Sequence, residues 1–206
     1  MALIHHACRR TLVVSDVHVQ TAAMYFNTVP GGKVFFENAG CTIGGVPGAG
    51  IRKQPLPGEE KFPYSRQTPC FDFRGQQVWC RQVNPERSLH EMVNDGGTLW
   101  VMGFKTEEEG TAFTVRGGGS TEVLGGTFCI GLDKPYPILL NDHSCMSVFA
   151  STYLYHLEQR FPLAVREIQE EGTREFHAED MPIRCGHSYT IPLYVGRSSH
   201  SISKGE

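Results

Sequence analysis

Three stretches of the chain are variations on one theme: Val78-Trp79-Cys80-Arg81-Gln82-Val83, Leu99-Trp100-Val101-Met102-Gly103-Phe104 and Thr121-Glu122-Val123-Leu124-Gly125-Gly126. Their starts lie 21 and then 22 residues apart. A period of this length, carried by short β-rich runs that turn at Gly or Asn, marks a solenoid. One turn of such a coil cannot bury its own apolar face, so neighbours must stack. A helical period does not fit, because the runs are short, β-branched or aromatic, and bounded by glycine pairs.

The theme extends both ways, to Leu12–His18, Val34–Gly40 and, at a shorter step of 17, Ile138–His143. Aligning the six runs gives columns. Strand side chains alternate between faces, so the first column (Leu12, Val34, Val78, Leu99, Thr121, Ile138) and the third (Val14, Phe36, Cys80, Val101, Val123, Leu140) share one face. Its apolar character makes it the interior. The fifth column is Asp16, Asn38, Gln82, Gly103, Gly125 and Asp142, residues suited to left-handed or turn geometry, and there each strand is expected to bend. The even columns face outward. They set Phe35, Trp79 and Trp100 in an outer ladder, either an apolar shelf covered by the long insertion or another subunit, or a platform for sugar rings.

With 206 residues the chain is expected to form one domain with a substantial core. Coils are expected over 11–155, with a Gly- and Pro-rich insertion over 42–77, capping strands over 156–197 and a tail over 198–206. Residues 1–10 read as an irregular lead-in, with His5-His6 a solvated end. That leaves the first coil without an evident cap, for residues 1–10, another subunit or further chain to cover. The end of the insertion, Cys70-Phe71-Asp72-Phe73, is expected to return as a strand. Leu163–Ile168 and Thr173–Phe176 are expected to form a hairpin and Ser188–Val195 a further strand, sealing the last coil.

A net charge of −3 with scattered Lys and Arg gives no nucleic-acid surface. No apolar run is long enough to span a membrane, and the first ten residues carry no signal-peptide core. Among the seven cysteines, Cys80 reads as a core residue, and Cys41 and Cys70 bracket the insertion as a pair for an oxidising compartment. No Cys/His spacing forms a metal site, and no cofactor is implied.

These runs, with Asn94–Glu107 and Gly118–Gly126, resemble right-handed parallel β-helix proteins of the pectate-lyase superfamily. More narrowly, they are similar to bacterial pectate-lyase-like proteins related to polygalacturonase-type glycoside hydrolases. The resemblance covers roughly residues 11–149 and implies an all-β, right-handed parallel β-helix of about six coils with a C-terminal hairpin cap. It also implies a carbohydrate-active protein, secreted or periplasmic, corresponding to the C-terminal coils of longer relatives. The paired aspartates of a polygalacturonase site and the acidic calcium cluster of a pectate lyase have no counterpart here.

Glycoside hydrolysis needs two carboxyls at a set separation. Asp16 and Glu37, on adjacent coils beside the aromatic ladder, are the first candidate pair; Glu86 and Glu107, stacked beside Lys105, are the second. Asp16 also reads as a turn residue and Glu37 as a partner of Arg81. Substrate-binding candidates are Phe35, Trp79, Arg81, Trp100, Lys105 and Glu122. The leading expectation is therefore a hydrolase of β-glycosides such as galactosides. The alternatives are a non-catalytic carbohydrate-binding or structural β-helix and a polysaccharide lyase, in which Arg81, Lys105 or His18 would serve. Asp142 and His143 form a dyad only if a turn rotates them together. Self-association is expected through the open first coil or the ladder.

Overall fold

The computed structural model describes residues 2–20, 22–43, 67–107, 110–130, 136–154, 163–181, 183–185 and 188–197. The chain is a parallel β-solenoid of about six coils with two eight-stranded sheets. The first sheet holds the short strands β1 (Ala2–His6), β3 (Ala23–Asn27), β5 (Phe71–Arg74), β7 (His90–Asp95), β9 (Thr111–Arg116), β11 (Leu139–Asp142), β13 (Leu163–Gln169) and β14 (Gly172–His177). The second holds the long strands β2 (Leu12–Gln20), β4 (Lys33–Thr42), β6 (Gln77–Glu86), β8 (Thr98–Glu107), β10 (Ser120–Ile130) and β12 (Cys145–Leu154), with β16 (Ser188–Gly196) and β15 (Ile183–Cys185) added at one end. From β1 to β12 successive strands alternate between the two sheets, so each of these coils gives one strand to each sheet.

Register follows the columns. Leu12 pairs with Val34, Val34 with Val78, Val78 with Leu99 and Leu99 with Thr121. The third column behaves likewise, and Val34, Phe36, Val78, Cys80, Leu99, Val101 and Val123 are all buried. The interior is filled by ring clusters: Phe36 packs edge-on against Tyr25 and Phe71 at centroid distances of 5.4 and 5.3 Å. Further along, Phe104 lies 4.6 Å from Phe128 and 5.1 Å from Phe113.

The bend column holds at five of its six members; Asp142 does not bend, and the left-handed residue there is His143. Asp16, Asn38 and Gln82 have φ of 55°, 49° and 53°, and Gly103 and Gly125 have 76° and 77°. A left-handed residue in the middle of a strand turns the chain without breaking the ladder on either side, so β2, β4, β6 and β8 are each two arms joined at one residue, and β10 bends at Gly125 and Gly126. Asn94 secures the opposite turn from inside: its Nδ2 donates to the carbonyls of Gly97 and Ser120 and to Thr121 Oγ1, while its Oδ1 accepts from Gly97 N.

Three expectations are corrected. Ile138–His143 is not the sixth long strand: β11 lies in the other sheet, between β9 and β13. Thr121 pairs with Met146, and Val123 with Val148, so β12 is the sixth long strand. Its outward positions are Ser147 and Phe149 rather than Leu139 and Asn141. Residues 2–6 are no lead-in; they form β1, parallel to β3. His6 is not solvated: it is buried, with Nδ1 2.8 Å from the Tyr25 hydroxyl, which in turn donates to Gln76 Oε1.

The strand expected at the end of the insertion is β5. The expected hairpin is β13–β14, and β16 runs antiparallel to β12. Residues 44–66, Glu108, Glu109 and 198–206 lie outside the described residues, and with them most of the insertion and the tail.

Candidate functional site

Alternation along the first arm of each long strand puts the second and fourth columns outside. Phe35, Trp79 and Trp100 stack there as expected, at centroid distances of 4.7 and 4.9 Å and interplanar angles of 9° and 13°. The stacking changes what the ladder offers. Rings lying face to face spend those faces on each other, so solvent meets their edges. Two outer faces are left at the ends, that of Phe35 toward Val13 and that of Trp100 toward Glu122, with Val13 and Glu122 both exposed.

The next outward column holds Glu37 and Arg81, paired at 3.6 Å with both side chains well exposed. Past them lies Met102, then Leu124 and Phe149, also exposed.

At the bend the surface is indented. An open pocket of about 220 Å³ is lined by Asp16, His18, Asn38, Gly40, Gln82 and Asn84, with Val17 and Ala39 completing its wall. Consecutive left-handed residues on three coils build it. Asn38 Nδ2 donates to Asp16 Oδ1 at 2.8 Å, tying two coils together at its edge. Gly40 keeps it open: a Cβ there would come within 2.7 Å of the Asn84 carbonyl oxygen and 2.8 Å of His18 Nδ1. Asn84 Oδ1 is buried and accepts no hydrogen bond from a described residue. Leaving a buried amide oxygen without a donor costs on the order of 1–3 kcal/mol.

Beyond the bend, the second arm carries a hydrogen-bond chain across four coils. His18 Nε2 lies 3.3 Å from Thr42 Oγ1, which donates to Glu86 Oε2 at 3.2 Å. Lys105 Nζ then donates to Glu86 Oε1 at 2.9 Å and to Glu107 Oε1. Burial pulls the Lys105 ammonium down, but the hydrogen bonds and charges of Glu107 and Glu86 outweigh it, and the group titrates above its ordinary range. The ammonium thus occupies the space between the two carboxylates, where a glycosidic oxygen or an attacking water would have to sit.

The structure gives Asp16 and Glu37 different partners, Asn38 and Arg81. It groups Glu86, Glu107 and Lys105. Phe35, Trp79 and Trp100 form one stack, with Glu122 next in line. Asp142 and His143 do meet: His143 adopts φ 48° at the turn after β11, and its Nδ1 lies 2.5 Å from Asp142 Oδ1. Ser144, next in the chain, is buried and donates its hydroxyl to the Asp142 carbonyl, so it offers the dyad no nucleophile. No group of three or more His, Cys, Asp or Glu suited to a metal ion occurs among the described residues.

Sequence reasoning missed His18, Gly40, Gln82 and Asn84 as a pocket. The available signals were the bend column itself and a glycine at an outward position, Gly40, where neighbouring coils carry His18 and Asn84.

Comparison of the chain with protein-family models, with curated proteins and with solved structures gives no match.

Proposed function

We propose that this solenoid binds carbohydrate across its bend and does not cleave it. The observation that carries this reading is the pocket, where carboxylate, amide and imidazole groups of Asp16, His18, Asn38, Gln82 and Asn84 converge on an open surface. Planar polar side chains of this kind match the paired donors and acceptors of sugar hydroxyls. Glu37 and Arg81 extend the polar surface one residue further along the arm, and the edges of Phe35 and Trp79 follow. The ladder column lies three residues from the bend, roughly 10 Å at strand spacing, about the reach of a second sugar unit.

The carboxylates themselves favour binding over hydrolysis. Glu86 and Glu107 share Lys105, Glu37 faces Arg81, and Asp16 holds the Asn38 amide. The resemblance to the pectate-lyase superfamily supports a carbohydrate ligand, and membership of that superfamily is itself part of this proposal.

One observation favours the hydrolase reading as a second possibility. Asp16 lines the pocket and Glu37 precedes the next bend residue on the adjacent coil. A panel of glycans titrated by calorimetry, run beside nitrophenyl glycosides, separates the two. The proposal expects heat of binding that is lost in Asn84→Leu, with no chromophore released. Turnover abolished by Glu37→Gln or Asp16→Asn would establish the hydrolase instead, and silence in both assays would overturn both readings.

A further inference from the structure

Away from the bend, two thiols meet inside the coil. Cys41 lies near the end of β4 and Cys70 immediately precedes β5, and both are fully buried. Cys70 Sγ lies 3.9 Å from the Cys41 carbonyl oxygen and 3.5 Å from that of Glu86. Both backbones are fixed. Cys41 is held in register between Val19 and Pro85, and the Cys70 carbonyl accepts from Met24 N and Tyr25 N. The two residues therefore meet in the core where the second coil passes into the third, although they are 29 residues apart in the chain.

From this juxtaposition we infer that Cys41 and Cys70 are a disulfide site that locks the second coil to the third. The reaction is an exchange with a small disulfide such as oxidised glutathione. One protein thiolate attacks it, releasing one reduced glutathione and leaving a mixed disulfide. The second thiolate attacks the protein sulfur of that intermediate and releases the other. Two protein thiols are oxidised, one glutathione disulfide is reduced, and the two thiol protons end on the departing glutathiones.

Surroundings set when this happens. Burial pushes the Cys70 thiol well up, and the neighbouring Cys41 and the charge of Glu91 push it further. A thiol so protonated and enclosed exchanges slowly, so the bond forms while the coil closes rather than afterwards. Cys80 is different: it is buried in the third column, with its thiol raised by burial alone.

The test is to refold the full chain in a glutathione redox buffer, block free thiols with iodoacetamide and map the peptides without reduction. The inference expects a Cys41–Cys70 cross-linked peptide as the main product. It also expects a thermal midpoint that falls by on the order of 10 °C when reductant is added. The midpoint of Cys41→Ser should not respond to reductant. Complete alkylation of both residues after oxidative refolding, or their recovery in links to other cysteines, would overturn it. The map is made on the unmutated chain, so a Cys41→Ser variant that fails to fold does not leave the inference undecided.

Discussion

Asn38 Nδ2 donates to Asp16 Oδ1 at 2.8 Å, joining two residues that both hold left-handed backbone geometry at the same bend of successive coils. The pair therefore has a structural task that precedes any ligand. Asn38→Ala loses the bond and forces an alanine into φ 49°; together these should cost about 2 kcal/mol. Asn38→Gly loses the same bond but tolerates the backbone, so its cost should be about 1 kcal/mol lower. Urea unfolding of the two variants checks this, and equal losses would show that the bend imposes no backbone demand.

The stack of Phe35, Trp79 and Trp100 gives a graded result. Trp79 has a ring on each side and the others only one. Each stacked contact contributes roughly 0.5–1.5 kcal/mol beyond burial. Trp79→Ala should therefore destabilise the chain by about 1 kcal/mol more than Trp100→Ala. Coupling between the two indoles should appear in the circular dichroism of the parent and vanish in either tryptophan variant.

Lys105 ties stability to alkaline pH. Its folded-state value lies above the unfolded lysine value of about 10.4. Its contribution is thus complete below that value and is lost as the pH rises through the higher folded one. The side chain is 44% exposed, so after solvent screening the effect is about 0.5–1 kcal/mol. The difference in unfolding free energy between parent and Lys105→Met should shrink above that range and stay level between about pH 7 and 9.

Adjacent glycines of β10 should respond unequally. Gly126 has φ 147°, and a Cβ there would strike the Phe104 ring and come within 2.7 Å of its carbonyl oxygen. Gly126→Ala should cost about 2–3 kcal/mol. Gly125, at φ 77°, has no atom within 4 Å of where a Cβ would stand, and asparagine accepts that backbone. Gly125→Asn should fall within about 0.5 kcal/mol of the parent. Thermal melts of both decide the matter.

The long sheet was readable because alternation writes its inward columns directly into the chain: Val34, Phe36, Val78, Cys80, Leu99 and Val101 recur at the coil period. The bend column was readable because few residue types accept a left-handed backbone. The short sheet was not. The middle of β7, Glu91-Met92-Val93-Asn94, is buried on both faces, so no alternation announces it. Ile138-Leu139-Leu140-Asn141 copied the cadence of a long strand, and only its pairing with β9 and β13 reveals which sheet it joins. The pocket stayed hidden because its lining comes from three coils and carries no contiguous motif. The ladder was foreseen as a shelf, but ring orientation, which turns its faces inward on one another, depends on rotamers that spacing does not specify.

Residue-resolved NMR of the labelled chain, titrated with the tightest-binding glycan from the calorimetric panel, locates the surface that meets the ligand. The largest shifts should fall on Asp16, His18, Asn38, Gly40, Gln82 and Asn84. Smaller shifts should reach Glu37, Arg81 and the Trp79 indole. Shifts centred on another surface, or a spectrum unmoved by every glycan, would contradict carbohydrate binding at the bend.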